Sequence, residues 1–224
     1  MLQLREKEIF ETLKMIKKYN FTVIGGYAAN TYTLPRFSVD CDIAVQDKDE
    51  LDKIGIELKK RGYKKETTGD ADIPYAGQFA RYEKTIANNF KVSIDMLVKT
   101  IFDRQTNSTF SAEWIFQNSK IIPLRGKTID EELNLKIINI DALIVMKIIS
   151  CRMTDIRDVF MLMPQAENTE WIKNEIGKRC SIQDRLKKLK STIRSKEFRD
   201  NLQGIYGYIE ERIFEKHKRE IEKI

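Results

Sequence analysis

In the stretch FTVIGGYAANTYTLPRFSVDCDIAV, residues 21–45, a strand-like apolar run meets two adjacent glycines, then a short helical segment and a second strand. This order of strand, glycine turn, helix and strand gives the chain an α+β beginning. Side chains alternate across a strand, so Asp40, Asp42 and Ala44 share one face while Cys41, Ile43 and Val45 share the other. The second set is uniformly apolar and belongs in a core. Two carboxylates therefore stand side by side on the opposite face. The later run KVSIDMLV, residues 91–98, repeats the pattern, with Val92, Ile94, Met96 and Val98 apolar and Lys91, Ser93 and Asp95 opposite them. If the two strands are neighbours, three acids converge.

The remaining chain supplies the frame. Leu4, Ile9, Leu13 and Ile16 recur at helical spacing, which predicts an amphipathic helix over residues 3–18. Residues 27–34 read as the short helix, ended near Pro35. DKDELDKIGIELKKRGY reads as a helix whose Leu51, Ile54 and Leu58 face inward. GQFARYEKT and FKVSIDMLV read as neighbouring strands joined through the turn signal ANN. KIIPL and LKIINI are two further short strands. From Asp141 the pattern is helical to the end, with Asp141 as N-cap of ALIVMKIISCR and Thr154 as cap of DIRDVFMLM, which Pro164 follows. Residues 165–224 hold several charged amphipathic helices. The expected organisation is a mixed-sheet α+β core flanked by helices over residues 1–139 and a helical C-terminal region over residues 140–224.

Composition narrows the class. Of 224 residues, 42% are hydrophobic and 33% charged, the make-up of a soluble globular chain with material for a sizeable core. No apolar run approaches the roughly 18–20 residues that span a bilayer, so no membrane partner is expected. Cys41, Cys151 and Cys180 are odd in number and widely spaced, without a disulfide framework or paired zinc ligands, which points to a reducing cytoplasm. His217 is the only histidine, so a pair of histidines within one chain is excluded, and it reads as a surface residue. The net charge is +6. Its basic excess is concentrated between Trp171 and Arg199, where ten Lys and Arg face Glu175, Asp184 and Glu197. Such a segment is either a solvated helix face or an attractor of polyanions.

Carboxylates about 4 Å apart repel by roughly 4 kcal/mol at an effective dielectric near 20. A cluster of Asp40, Asp42 and Asp95 stays ionised only beside a cation, and hard oxygen donors select Mg²⁺ or Mn²⁺. With phosphate-bearing substrates this is the layout of a two-metal displacement site. Read individually, Asp40 and Asp42 could equally be exposed strand residues. Gly25-Gly26, leading from a strand into a helix, exposes backbone N–H groups suited to phosphate oxygens, or is an ordinary turn. Neither a GxGxxG fingerprint nor the GK[ST] of a P-loop follows it.

Taken together, Ile24-Gly25-Gly26, the short helix, RFSVDCDIAV and Asp95 in VSIDMLV resemble the motif of the DNA polymerase β-type nucleotidyltransferase superfamily. IDALIVMKIISCRMTDIRDVFML is similar to a further element of the AbiEii-like and minimal nucleotidyltransferase branches. There a lysine-bearing helix precedes an Arg-x-x-Asp-x-x-Asp run, matched here by Lys147, Arg152, Asp155 and Asp158. A cysteine stands between the two acids where an aliphatic residue is usual, which suits the buried face. The resemblance implies that Asp40, Asp42 and Asp95 hold the metals, with Asp95 also activating the attacking hydroxyl. It further implies that Gly25 and Gly26 cradle the β- and γ-phosphates and that Lys147 serves the site or the triphosphate. Arg36 could neutralise phosphate charge or be a surface arginine, and Lys147 could instead snorkel to solvent. Asp155 and Arg157 read better as part of a salt-bridge ladder tying two helices.

The expected function is Mg²⁺- or Mn²⁺-dependent transfer of NMP from an NTP to an acceptor hydroxyl. RNA, tRNA above all, is the favoured acceptor. RLKKLKSTIRSKEFR can present Lys187, Lys188, Lys190 and Arg194 while Leu186, Leu189 and Ile193 pack inward, and such binding weakens steeply with salt. The alternatives are a non-catalytic or regulatory module that keeps the fold, such as one half of a toxin–antitoxin pair, and a nucleic-acid binder using only the basic half.

Overall fold

Helix α1 (Leu2–Ile16) leads into strand β1 (Phe21–Val23), helix α2 (Gly25–Tyr32), strand β2 (Asp40–Val45) and helix α3 (Lys48–Lys60) in the computed structural model, which describes residues 2–66, 79–87 and 89–224. Strands β3 (Lys64–Lys65), β4 (Phe79–Thr85) and β5 (Lys91–Val98) follow. Next come the small ribbon of β6 (Thr100–Phe102) and β7 (Thr109–Ser111), the one-turn helix α4 (Ala112–Gln117), and strands β8 (Ser119–Arg125) and β9 (Glu132–Ile138). Gly77, Gln78 and Asn88, which the sequence assigns to a strand and its turn, lie outside the described residues.

Seven of these strands form one mixed sheet in the order β3-β4-β5-β2-β1-β9-β8. β2 runs parallel to β5 and β1 parallel to β9, while the other neighbours are antiparallel. The α+β class and the mixed, helix-flanked sheet are as the sequence predicts. Alternation decides the faces. Cys41, Ile43 and Val45 are fully buried, and Ile94, Met96 and Val98 stand in register beside them. Helices α1 and α3 pack on these strands through Ile9, Phe10, Leu13 and Ile16 and through Leu51, Ile54 and Leu58. Truncating any one of these large apolar side chains to alanine would cost roughly 2–5 kcal/mol. Leu4, assigned to the same stripe, is exposed instead, because the first turn of α1 extends beyond the core. Asp47 caps α3 by accepting from Glu50 N at 2.8 Å, and acids at the start with lysines at the end complement the helix dipole.

The contacts divide the chain into two compact units. The sheet and its helices make up Met1–Thr31, Phe37–Phe102 and Thr109–Ile138. The second unit comprises Tyr32–Arg36, Asp103–Ser108 and Asn139–Ile224. It contains α5 (Ile140–Ser150), α6 (Met153–Leu162), α7 (Thr169–Gly177), α8 (Ile182–Ile193), α9 (Lys196–Tyr206) and α10 (Glu211–Glu222). Its core gathers Phe160 against Phe198 and Phe214, with ring centroids 5.2 and 5.0 Å apart. Leu189, Ile193, Leu202 and Ile221 are fully buried around them.

Several local expectations are corrected. α2 begins at Gly25 itself, so the glycines form its first turn rather than a linker before it. The last strand stops at Ile138, and Asn139, not Asp141, caps α5 by accepting from Ala142 N at 2.8 Å. Asp141 is buried in the first turn and accepts from the backbone of Glu167 and Asn168 at 2.9 and 2.8 Å, fixing the loop before α7. Thr154 lies inside α6, whose N-cap is Arg152. Asp155 reaches back to accept from the Arg152 backbone. His217 is half-buried rather than a surface residue. Its Nδ1 lies 2.9 Å from the Phe160 carbonyl oxygen, its ring rests on that of Phe160, and burial lowers its pKa.

Gly55, in the middle of α3, shows how tightly helix and sheet meet. A Cβ there would lie 2.3 Å from the Tyr82 hydroxyl and 3.0 Å from the ring carbon that bears it. Alanine normally stabilises a helix interior by about 1 kcal/mol over glycine. Gly55→Ala is expected to lower the thermal midpoint instead, with the loss reduced in a Tyr82→Phe background. A raised midpoint in scanning calorimetry would contradict this packing.

Candidate active site

The register of β2 and β5 assembles the acids. Asp42 stands directly beside Asp95 and Asp40 beside Ser93, and in-register neighbours present their side chains to one face. β4, antiparallel on the other edge of β5, places Arg81 opposite Asp95. A row of Arg81, Asp95 and Asp42 thus crosses three strands. Ile24 N donates to Asp42 O at 3.0 Å and carries the row on to the start of α2.

Each side chain has a defined setting. Arg81 grips Asp95 in a fork, Nε to Oδ1 at 2.9 Å and Nη2 to Oδ2 at 2.6 Å. The same Nη2 lies 3.8 Å from Asp40 Oδ2. Asp40 Oδ1 accepts from Ser93 Oγ at 2.6 Å. The side chain of Asp95 is 7% exposed, against 45% for Asp40 and 34% for Arg81. Burial pushes the Asp95 carboxyl above the usual carboxylate range, the Asp40 charge adds to that, and the Arg81 fork offsets it only in part. Cys41, between the two acids in sequence, points into the core, and burial pushes its thiol well above its ordinary value.

Gly25 explains the glycine pair. Its φ is +65°, in the left-handed region that favours glycine. A Cβ there would sit 2.0 Å from Asp42 Oδ2. The Asp42 carboxylate therefore occupies the space that any larger residue would fill, against the first turn of α2. Gly26, the next residue, is buried.

Asp40 and Asp42 fit a hard divalent cation by donor chemistry, being two carboxylates on one strand face, with Asp42 seated in the space that Gly25 leaves. Asp95 lies on their face but does not join them as a ligand in this arrangement, because both its oxygens accept from Arg81. Among the described residues no three His, Cys, Asp or Glu side chains converge closely enough to hold a metal together.

A second charge cluster belongs to the helical unit. Lys147 Nζ lies 2.6 Å from Asp158 Oδ2 and 3.4 Å from Asp155 Oδ1. Arg36 forks onto Asp158, Nε to Oδ1 at 2.6 Å and Nη2 to Oδ2 at 2.7 Å. Arg152 Nε donates to Asp155 Oδ2 at 2.9 Å. Lys147 is buried and does not snorkel, and Arg36 is not a free surface arginine. Arg157 donates to Asn201 at 3.1 Å. In the basic segment Lys187 and Lys188 are exposed, whereas Lys190 donates to the Glu222 carbonyl and Arg194 pairs with the Glu222 carboxylate, tying α8 to the end of α10.

Arg81 joins the site although no motif marks it; the hairpin does, since counting back from its turn along each strand sets Arg81 opposite Asp95.

No protein-family model matches the chain, and no curated protein matches it in sequence. The fold is found in solved structures. The JHP933 protein from Helicobacter pylori superposes with a TM-score of 0.52 at 17% identity, over 99% of this chain and 90% of that one. A protein from H. pylori provisionally classed as a nucleotidyltransferase superposes with a TM-score of 0.54 at 14% identity, over 98% of this chain and 92% of that one. At these identities the likeness establishes a shared, nucleotidyltransferase-like fold. Among the described residues no helix is long and apolar enough to cross a membrane.

Asp158 gives a pH prediction. Burial would raise its carboxyl, but Lys147 and Arg36 together hold it below its ordinary value of 3.8. A depressed carboxylate adds stability that is present above the unfolded pKa and lost as pH falls through the folded one. Acid should therefore remove this contribution only below about pH 4. Asp158→Asn should destabilise the protein at neutral pH by roughly 3–5 kcal/mol, because the buried Lys147 and the partly buried Arg36 lose the carboxylate they share, and should flatten the acid limb. Urea titrations from pH 3 to 7 check both. An unchanged midpoint at pH 7 would show the cluster to be energetically idle.

Proposed function

We propose that the chain is a metal-dependent nucleotidyltransferase that moves NMP from an NTP to an acceptor hydroxyl and releases pyrophosphate. The observation that carries this reading is the register of β2 with β5, which sets Asp42 beside Asp95, with Asp42 itself against the glycine start of α2. Asp40 and Asp42 would hold the divalent ion, Mg²⁺ or Mn²⁺. When bound, the ion neutralises and orients the triphosphate. Backbone N–H groups at Gly25 and Gly26, at the positive end of α2, would receive phosphate oxygens. Asp95 would take the proton of the attacking hydroxyl, a role that its raised carboxyl suits better than an ordinary aspartate would.

Within this class, the run from Lys147 through Arg152, Asp155 and Asp158 relates the chain to the AbiEii-like branch. Lys187 and Lys188, exposed on α8, support an RNA acceptor. One observation favours the non-catalytic alternative, a nucleotide-binding or regulatory module. With Arg81 closed on Asp95, both oxygens of the third acid are already taken up.

Incubation with each labelled NTP, Mg²⁺ and total RNA is expected to yield labelled product. Asp42→Asn should reduce the rate by on the order of a thousandfold. If neither RNA, protein nor small molecules become labelled, and no NTP binds in a Mg²⁺-dependent way, the enzyme reading fails. A binder acting through its basic helices would instead retain RNA in EDTA, with Asp42→Asn without effect.

A further inference from the structure

Arg81 stands on the strand next to Asp95, a third of its side chain is exposed, and both of its forked donors are used on that one carboxylate. Its Nη2 also comes within 3.8 Å of Asp40. A guanidinium set this way does two things. It supplies the positive charge that a buried carboxylate beside another acid requires. It also occupies the in-plane oxygen positions that a metal ion would use, since a fork and a cation address the same lone pairs. The charged groups facing Asp95 across the sheet are Asp40 and Asp42 on β2 and Arg81 on β4. Among the described residues Arg81 is the cation set directly on Asp95. Asp158 in the helical unit differs, because a lysine and an arginine share it and it is 1% exposed.

We infer that Arg81 is the resident counter-ion of the acid cluster and a competitor of the divalent cation. It holds Asp95 in the metal-free protein and must release it for Asp95 to join Asp40 and Asp42. This inference rests on the proposed nucleotidyl-transfer site and names its regulation. Metal affinity without nucleotide is then kept low by the fork, and a bound nucleotide favours metal entry by giving the released guanidinium an anionic partner. Arg81 is in this account a positioning residue that acts through Asp95.

The test measures Mn²⁺ binding without nucleotide, by electron paramagnetic resonance of free Mn²⁺, for the intact protein, Arg81→Gln, Arg81→Lys and Arg81→Gln/Asp95→Asn. Arg81→Gln is expected to bind Mn²⁺ on the order of tenfold more tightly, within the range that partners of metal ligands exert. Arg81→Lys, which keeps the charge without the fork, should fall between. The double variant should lose the gain, which assigns it to Asp95. Thermal unfolding with and without Mn²⁺ gives a second readout, since a ligand that binds only the native state raises its stability. The Mn²⁺-induced rise should be larger for Arg81→Gln even if its metal-free midpoint is lower. Equal or weaker Mn²⁺ binding by Arg81→Gln, or a gain that survives Asp95→Asn, overturns the inference. If the intact protein nonetheless binds Mn²⁺ with NTP through Asp42, the transferase reading stands without it. If no variant binds metal even with NTP, both fall.

Discussion

The parallel pairing of β2 with β5 places two aspartates in register on adjacent strands, and much of the rest accommodates that juxtaposition. Strands in a sheet run about 4.8 Å apart, a spacing at which two carboxylates repel by several kcal/mol in a partly buried setting. The core face of the same strands cannot slip to relieve this, because a shift of one residue would turn Ile43 and Met96 out of the apolar layer. Register is thus fixed by hydrophobic burial, and the charge problem has to be solved locally. Arg81 solves it on one side. On the other, Gly25 makes room for the Asp42 carboxylate at the start of a helix.

The two units treat a buried acid differently. Asp158 is almost wholly buried and shared by Lys147 and Arg36, which hold it ionised below its ordinary range. Asp95, forked by Arg81 and beside the acidic Asp40, remains above its ordinary range. A carboxylate with two firm partners rigidifies its surroundings. One left under-compensated is poised to take up a cation or a proton, and groups perturbed in this way cluster at functional sites. The contrast is an electrostatic argument for seeking chemistry at Asp95 rather than at Asp158.

Much of the sheet unit was legible because alternation and burial coincide there. Asp40–Val45 and Lys91–Val98 are strands with the predicted faces, and their acids share one side. The start of α2 was misjudged by two residues, since a glycine at φ +65° can begin a helix that propensity alone would delay. Local pattern points to Asp141 and Thr154 as caps, but Asn139 and Arg152 hold those positions. Asp141 serves a tertiary role that no local pattern announces, accepting from a backbone 26 residues away. The half-buried setting of His217 and the short ribbon at Thr100–Ser111 depend on long-range packing in the same way. Arg81 carries no motif of its own, and only the cross-strand register of its hairpin sets it on Asp95.

The most direct test of the site is a crystal structure with Mn²⁺ and a non-hydrolysable NTP, using anomalous scattering to locate the metal. The account predicts Mn²⁺ between Asp40 and Asp42, the triphosphate against Gly25, and Arg81 withdrawn from Asp95. Nucleotide bound elsewhere, or Mn²⁺ absent from these aspartates, would contradict it.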